Sequence, residues 1–160
     1  MPPYPPVEIR VLAVDDDPGL LEIIRIFLES TVNATVSLDF SAIDALYTLE
    51  TEYFDVCISD FDMPGMNGVQ FLRKIREDGY DIPCILMTGD ARKEVHEAAL
   101  AAGALRVIQK DGNGPVFFSE LAEAVRQAAE RSTTGRYPGV GTGDGGRDVR
   151  AIVKGGAKVS

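Results

Sequence analysis

The chain has 160 residues, which suits one domain with extensions, and 45% of them are hydrophobic, enough for an ordinary core. Its net charge of −9 is uneven: residues 1–131 hold 11 of the 16 Lys/Arg and 23 of the 25 Asp/Glu, a balance of −12, whereas residues 132–160 carry +3. So acidic a body lacks the footprint of a nucleic-acid or anionic-membrane binder; with no apolar run of about 18 residues and no basic-then-apolar leader after Met1, a cytoplasmic protein is expected.

Residues 1–8 read as a Pro-rich lead-in. Ile9–Val14 is a short, β-branched apolar run that fits a strand buried on both faces, and it stops at three aspartates. Asp17-Pro18 offers an N-cap and a first-turn proline, and Leu20, Ile23, Ile24, Phe27 and Leu28 follow at helical spacing. A second strand is predicted over Thr35–Phe40, then a helix capped by Ser41 with Ala42, Ala45, Leu46 and Leu49 on its apolar side. Asp55–Ser59 is a third strand, followed by Asp60 and a loop containing Pro64, Gly65 and Gly68. Val69, Leu72 and Ile75 mark a helix ending near Gly79. Ile82–Met87 reads as a strand, Ala91–Ala102 as an Ala-rich helix, Leu105–Gln109 as a strand, and Pro115 opens a last helix.

Strands alternating with helices predict an α/β fold: a doubly wound, five-stranded parallel sheet with five helices on both faces and right-handed crossovers. In such sheets the functional crevice lies outside the carboxyl ends of the strands. Those ends are Asp15 and Asp16, Asp60, Thr88, and Lys110. Nothing in core packing requires chemically capable residues there.

Two carboxylates about 4 Å apart repel by roughly 4 kcal/mol at an effective dielectric of 20. Asp15, Asp16 and Asp60 therefore call for a cation or a proton, and an all-oxygen donor set suits Mg²⁺. A carboxylate is an adequate nucleophile for phosphoryl transfer, whose loose transition state needs positioning and neutralised equatorial oxygens. Mg²⁺, the Lys110 ammonium and the Thr88 hydroxyl can each cover one oxygen.

Four ordered stretches resemble the receiver domains of two-component response regulators: Val11-Leu12-Ala13-Val14-Asp15-Asp16-Asp17, Ser59-Asp60-Phe61-Asp62-Met63-Pro64-Gly65-Met66-Asn67-Gly68, Leu86-Met87-Thr88-Gly89, and Gly103-Ala104 with Gln109-Lys110. The resemblance covers residues 9–131 and implies strand order 2-1-3-4-5. It implies that Asp60 accepts a phosphoryl group from a histidine kinase or phosphotransfer domain. It also implies that Asp16 binds Mg²⁺ directly, Asp15 largely through water, and Asp62 through its backbone carbonyl, while Thr88 and Lys110 contact the phosphoryl group. Gln109-Lys110-Asp111-Gly112 looks most like archaeal receivers, which are often joined to sensor kinases. Two positions depart from the family: Val107 replaces the usual switch aromatic, and Asp111 replaces the usual proline after the lysine, where a non-proline cis bond would cost about 3–4 kcal/mol.

Other residues have plainer expectations. Asp17 is a helix cap, His96 a surface or boundary residue, and Cys57 and Cys84 are buried, reduced thiols acting as small hydrophobes. Met63 and Met66 pack the loop. Residues 132–160 hold 8 of the 16 glycines and read as a flexible tail. Asp60-Phe61-Asp62 also resembles the Asp-x-Asp pair of haloacid-dehalogenase-type phosphatases, but it follows the third strand rather than the first and leaves no room for a cap. A pseudo-receiver that binds partners without phosphate is disfavoured by the complete set of five site residues.

Overall fold

Parallel neighbours cannot be joined by tight hairpins, so each apolar strand of this chain is followed by a crossover helix. In the computed structural model, which describes residues 7–110 and 114–135, the elements are β1 (Ile9–Val14), α1 (Pro18–Thr31), β2 (Ala34–Asp39), α2 (Ala42–Thr51), β3 (Val56–Asp60), α3 (Gly68–Glu77), β4 (Cys84–Thr88), α4 (Lys93–Ala101), β5 (Arg106–Gln109) and α5 (Gly114–Gly135). All strand pairs are parallel, in the order β2-β1-β3-β4-β5 expected from the sequence.

Strand side chains alternate between faces, and the alternation divides the core in two. Val11 and Ala13 of β1 join Ile58, Met87 and Ile108 on one face, under Leu21, Ile24 and Leu28 of α1 and Leu121 and Val125 of α5. Leu12 and Val14 join Cys57, Cys84 and Leu86 on the other, under Ala45 and Leu49 of α2, Phe71, Leu72 and Ile75 of α3, and Ala99 of α4. Each fully buried Leu, Ile or Phe is worth about 1.5–3 kcal/mol, so the helices are held unequally. α1 and α3 each bury three or more side chains, whereas Ala99 is the only buried residue of α4.

Local signals set the helix starts. The Asp17 carboxylate accepts hydrogen bonds from the Gly19 and Leu20 N–H groups, as its capping assignment requires. Ser41 caps α2 through Asp44 N–H, and Asn67 and Gln70 form a reciprocal capping box on α3. α4 has no side-chain cap and begins at Lys93 rather than Ala91.

Several predicted limits shift. β3 and β4 end one residue further, so Asp60 and Thr88 are themselves strand residues; just beyond Asp60 the Phe61 N–H donates to Met87 O at 2.7 Å, and Thr88 O accepts the Lys110 N–H at 2.7 Å. α5 continues through residues 132–135, past the point where the composition changes, because a helix already anchored by Phe117, Leu121 and Val125 propagates cheaply. The lead-in before Val7, the substitution at Asp111 and the predicted tail from residue 136 lie outside the described residues.

Candidate functional site

The carboxyl ends of β1, β3, β4 and β5 converge because parallel strands in one register end on one edge. Val14 pairs with Ser59, Asp60 with Met87, and Thr88 with Gln109. The next residue along β1, Asp15, is 1% exposed, Asp60 is 4% exposed and Thr88 is fully buried. Asp16 turns outward and is exposed.

Asp15, Asp16 and Asp60 each present a carboxylate oxygen within 4.8 Å of the others. Opposite ligands of an octahedral Mg²⁺ lie roughly 4.2 Å apart, so this donor set fits the ion after small carboxylate rotations. Lys110 enters from the end of β5, its Nζ 2.8 Å from Asp60 Oδ1 and 3.3 Å from Asp15 Oδ2. The other oxygen of Asp15 accepts the Asp17 N–H at 3.0 Å, so that carboxylate is held from both sides.

The electrostatics show strain that one lysine does not remove. Burial, reinforced by the negative charge of Asp60, pushes Asp15 up to about 6 despite the Lys110 ammonium. Burial also raises Asp60, against the hydrogen bond and charge of Lys110, with Asp62 and Asp16 adding to the rise. Burial works against the charge of Lys110, but the hydrogen bonds and charges of Asp60 and Asp15 prevail and hold it above its ordinary value. The site is thus short of positive charge.

Thr88 Oγ1 accepts the Asp90 N–H at 3.0 Å and keeps its own proton to donate. Asp62 is an exposed residue of the loop after β3, two residues past Asp60 and close enough for its charge to act on that carboxylate. Two features were not read from the sequence. Gly68 packs directly against the backbone of Asp60: a Cβ there would lie 2.4 Å from the Asp60 carbonyl oxygen. Asp90 is held low, to about 2, by hydrogen bonding to Arg92, which organises the turn after Thr88. The Pro-Gly-Met-Asn-Gly run marked a loop but not the approach that makes glycine obligatory.

Val107 is half-buried on β5 and packs with the α2–α3–α4 core layer. His96 is half-buried, with Nε2 enclosed and lacking a hydrogen-bond partner, a boundary residue as expected. Leu100, one of two larger aliphatics on α4, is 53% exposed and does not anchor the helix.

Comparison with known proteins places this fold and the residues at its edge. Residues 11–126 match the response regulator receiver domain family, and the chain belongs to it. It is 35% identical over 122 residues to an uncharacterized 14.6 kDa protein encoded in the sodA1 3′ region of Leptolyngbya boryana, covering 75% of this chain and 89% of that one. It is 31% identical over 136 residues to the C4-dicarboxylate transport transcriptional regulatory protein DctD of Pseudomonas aeruginosa, covering 81% of this chain but 28% of that protein. A solved relative, the signal receiver domain of an HD domain-containing protein from Pseudomonas fluorescens Pf-5, superposes with a TM-score of 0.70 at 29% identity, covering 80% of this chain and 91% of that one. The chain is therefore a two-component signalling domain rather than a conventional enzyme. Among the described residues, no helix is long and apolar enough to cross a membrane.

Proposed function

We propose that Asp60 accepts a phosphoryl group from the phosphohistidine of a histidine kinase or phosphotransfer domain, in a cytoplasmic relay, with Mg²⁺ held by Asp15, Asp16, Asp60 and the backbone carbonyl of Asp62. The observation that carries this reading is the pairing of buried Asp60 with Lys110 at 2.8 Å beside two further carboxylates. A carboxylate oxygen of Asp60 attacks phosphorus as the phosphorus–nitrogen bond breaks and the donor imidazole leaves. Bound Mg²⁺ would supply charge neutralisation to a phosphoryl oxygen and to the carboxylates. Lys110, already at Asp60, is placed to follow the charge onto a second oxygen, and the Thr88 proton serves a third. Phosphorylation replaces the single carboxylate charge of Asp60 with a phosphoryl dianion, so at this buried position the reaction depends on Lys110 and a divalent cation for neutralisation.

The test is incubation with acetyl phosphate and Mg²⁺ followed by intact mass measurement. The wild type gains one phosphoryl group and Asp60→Asn gains none. Equal labelling of the variant would show that the nucleophile lies elsewhere.

A further inference from the structure

α2 and the start of α3 flank an open groove of about 400 Å³ on the surface of the α2–α3–α4 layer. Ile43 lines it from α2, Gly65 and Met66 from the β3–α3 loop, and Gln70 from α3. Ile43 is 51% exposed, and Tyr47, four residues further along α2 and so on the same face of the helix, is 67% exposed. Neither side chain serves the core. Large apolar groups gathered at a groove mark an interaction surface, whereas scattered single ones do not.

The charges on the two sides of this patch have opposite sign. On the β2 side stands Asp44, exposed, its charge acting on Asp39 at the end of β2. On the other side stands Arg73, exposed on α3 one turn beyond Gln70. Among the described residues neither has an ion-pair partner, while Lys74 beside Arg73 pairs with Asp78. α1 also exposes two large aliphatics, Ile23 and Ile26, but the Arg25 between them is already paired with Glu22 and Glu29 of the same helix. A surface that is acidic on one side, apolar in the middle and basic on the other is complementary to itself. A twofold axis through the middle lays each side over the opposite side of a second copy.

We propose that two copies of this chain associate through the α2–α3 groove, Ile43, Tyr47 and Met66 forming the apolar centre and Asp44 of each copy facing Arg73 of the other. A basic amphipathic peptide fits less well, because Arg73 and Lys74 would repel it, and an acidic one would be repelled by Asp44. The net negative charge of the body opposes self-association at long range. At physiological salt that repulsion is screened within about 8 Å, so contacts at the groove decide. Stable interfaces bury about 800 Å² on each partner. Three apolar side chains around an open groove supply less, so the dimer is weak, with a dissociation constant on the order of 10–300 μM.

This inference is independent of the phosphoryl reading and is tested on the unphosphorylated full chain in chelator. Sedimentation equilibrium from micromolar to half-millimolar protein should show a reversible monomer–dimer equilibrium. Tyr47→Lys should weaken it about tenfold or more, and Ile43→Lys should do the same. Asp44→Lys and Arg73→Glu should each weaken it about fivefold, and the double reversal should return it close to the wild-type value, an effect that surface damage does not produce. Ile26→Lys on α1 and Leu100→Lys on α4 alter other exposed apolar positions and should leave it unchanged. Circular dichroism checks that each variant is folded. A wild type that stays monomeric throughout, a dimer lost on Ile26→Lys or Leu100→Lys but kept in Tyr47→Lys, or a double reversal no tighter than its single variants would each overturn the proposal.

Discussion

Gly68 has no Cβ because the backbone of Asp60 occupies the place where one would stand. An added methyl would meet the Asp60 carbonyl oxygen at 2.4 Å and the Phe61 Cα at 2.9 Å, and backbone atoms there cannot swing aside. Gly68 N–H also donates to Phe61 O at 2.8 Å, tying the start of α3 to the end of β3. Gly68→Ala should therefore cost about 1–3 kcal/mol and displace the β3–α3 loop. A lower melting temperature together with at least tenfold slower labelling by acetyl phosphate is expected; wild-type values for both would mean the loop relaxes freely. Asp15 gives a pH prediction. Without metal, its folded-state value of about 6 lies above its ordinary 3.8. Between roughly pH 4 and 6 the unfolded chain has lost this proton and the folded chain keeps it, so stability falls as pH rises through that window and levels off above it. Asp15→Asn should reduce that slope, leaving the part contributed by Asp60, and stabilise the metal-free protein at pH 7 by on the order of 1–3 kcal/mol. Urea melts in chelator from pH 4 to 7.5 measure both effects, and parallel curves for the two proteins would contradict the assignment.

At the scale of elements, α4 is the weak one. It buries only Ala99, lacks a side-chain cap, and turns Leu100 to solvent. Elements with little buried apolar surface open first and supply the moving parts of switches. Leu100→Ala should change stability by less than about 0.5 kcal/mol, whereas Ile24→Ala in the fully buried face of α1 should cost about 2–5 kcal/mol. Under the proposed phosphorylation of Asp60, Val107 in place of a ring leaves no aromatic rotamer to turn at that position. The route left is the chain from Thr88 through Gly89 and Asp90, whose N–H is bound to the Thr88 hydroxyl. When that hydroxyl engages a phosphoryl oxygen, the turn and α4 should follow. Amide exchange with and without beryllofluoride should change mainly over residues 88–104; changes confined to α1 and β2 would place the output face there instead.

For the whole molecule, the proposed metal site predicts a linkage between metal and fold. A ligand at 100 times its dissociation constant adds about 2.7 kcal/mol of stability. Thermal melts with millimolar Mg²⁺ should shift upward, and Asp16→Asn, which removes an exposed donor without touching the core, should blunt the shift. An unchanged wild-type melt would contradict the metal site. The chain spans 28% of the length of DctD. The order of elements, the two-faced strands and the strand-end residues were all legible in the sequence, because β-branched runs, helical spacing and capping residues are local signals. The site was legible for the same reason: a parallel sheet must bring its carboxyl ends to one edge, so Asp15, Asp60, Thr88 and Lys110 meet whatever the packing details. Distances through space were not local. Only the tertiary structure put the Gly68 backbone against Asp60, turned Leu100 outward, set Met66 and Gln70 beside Ile43, and registered Cys57 with Cys84, because each depends on how one element is rotated and shifted against another.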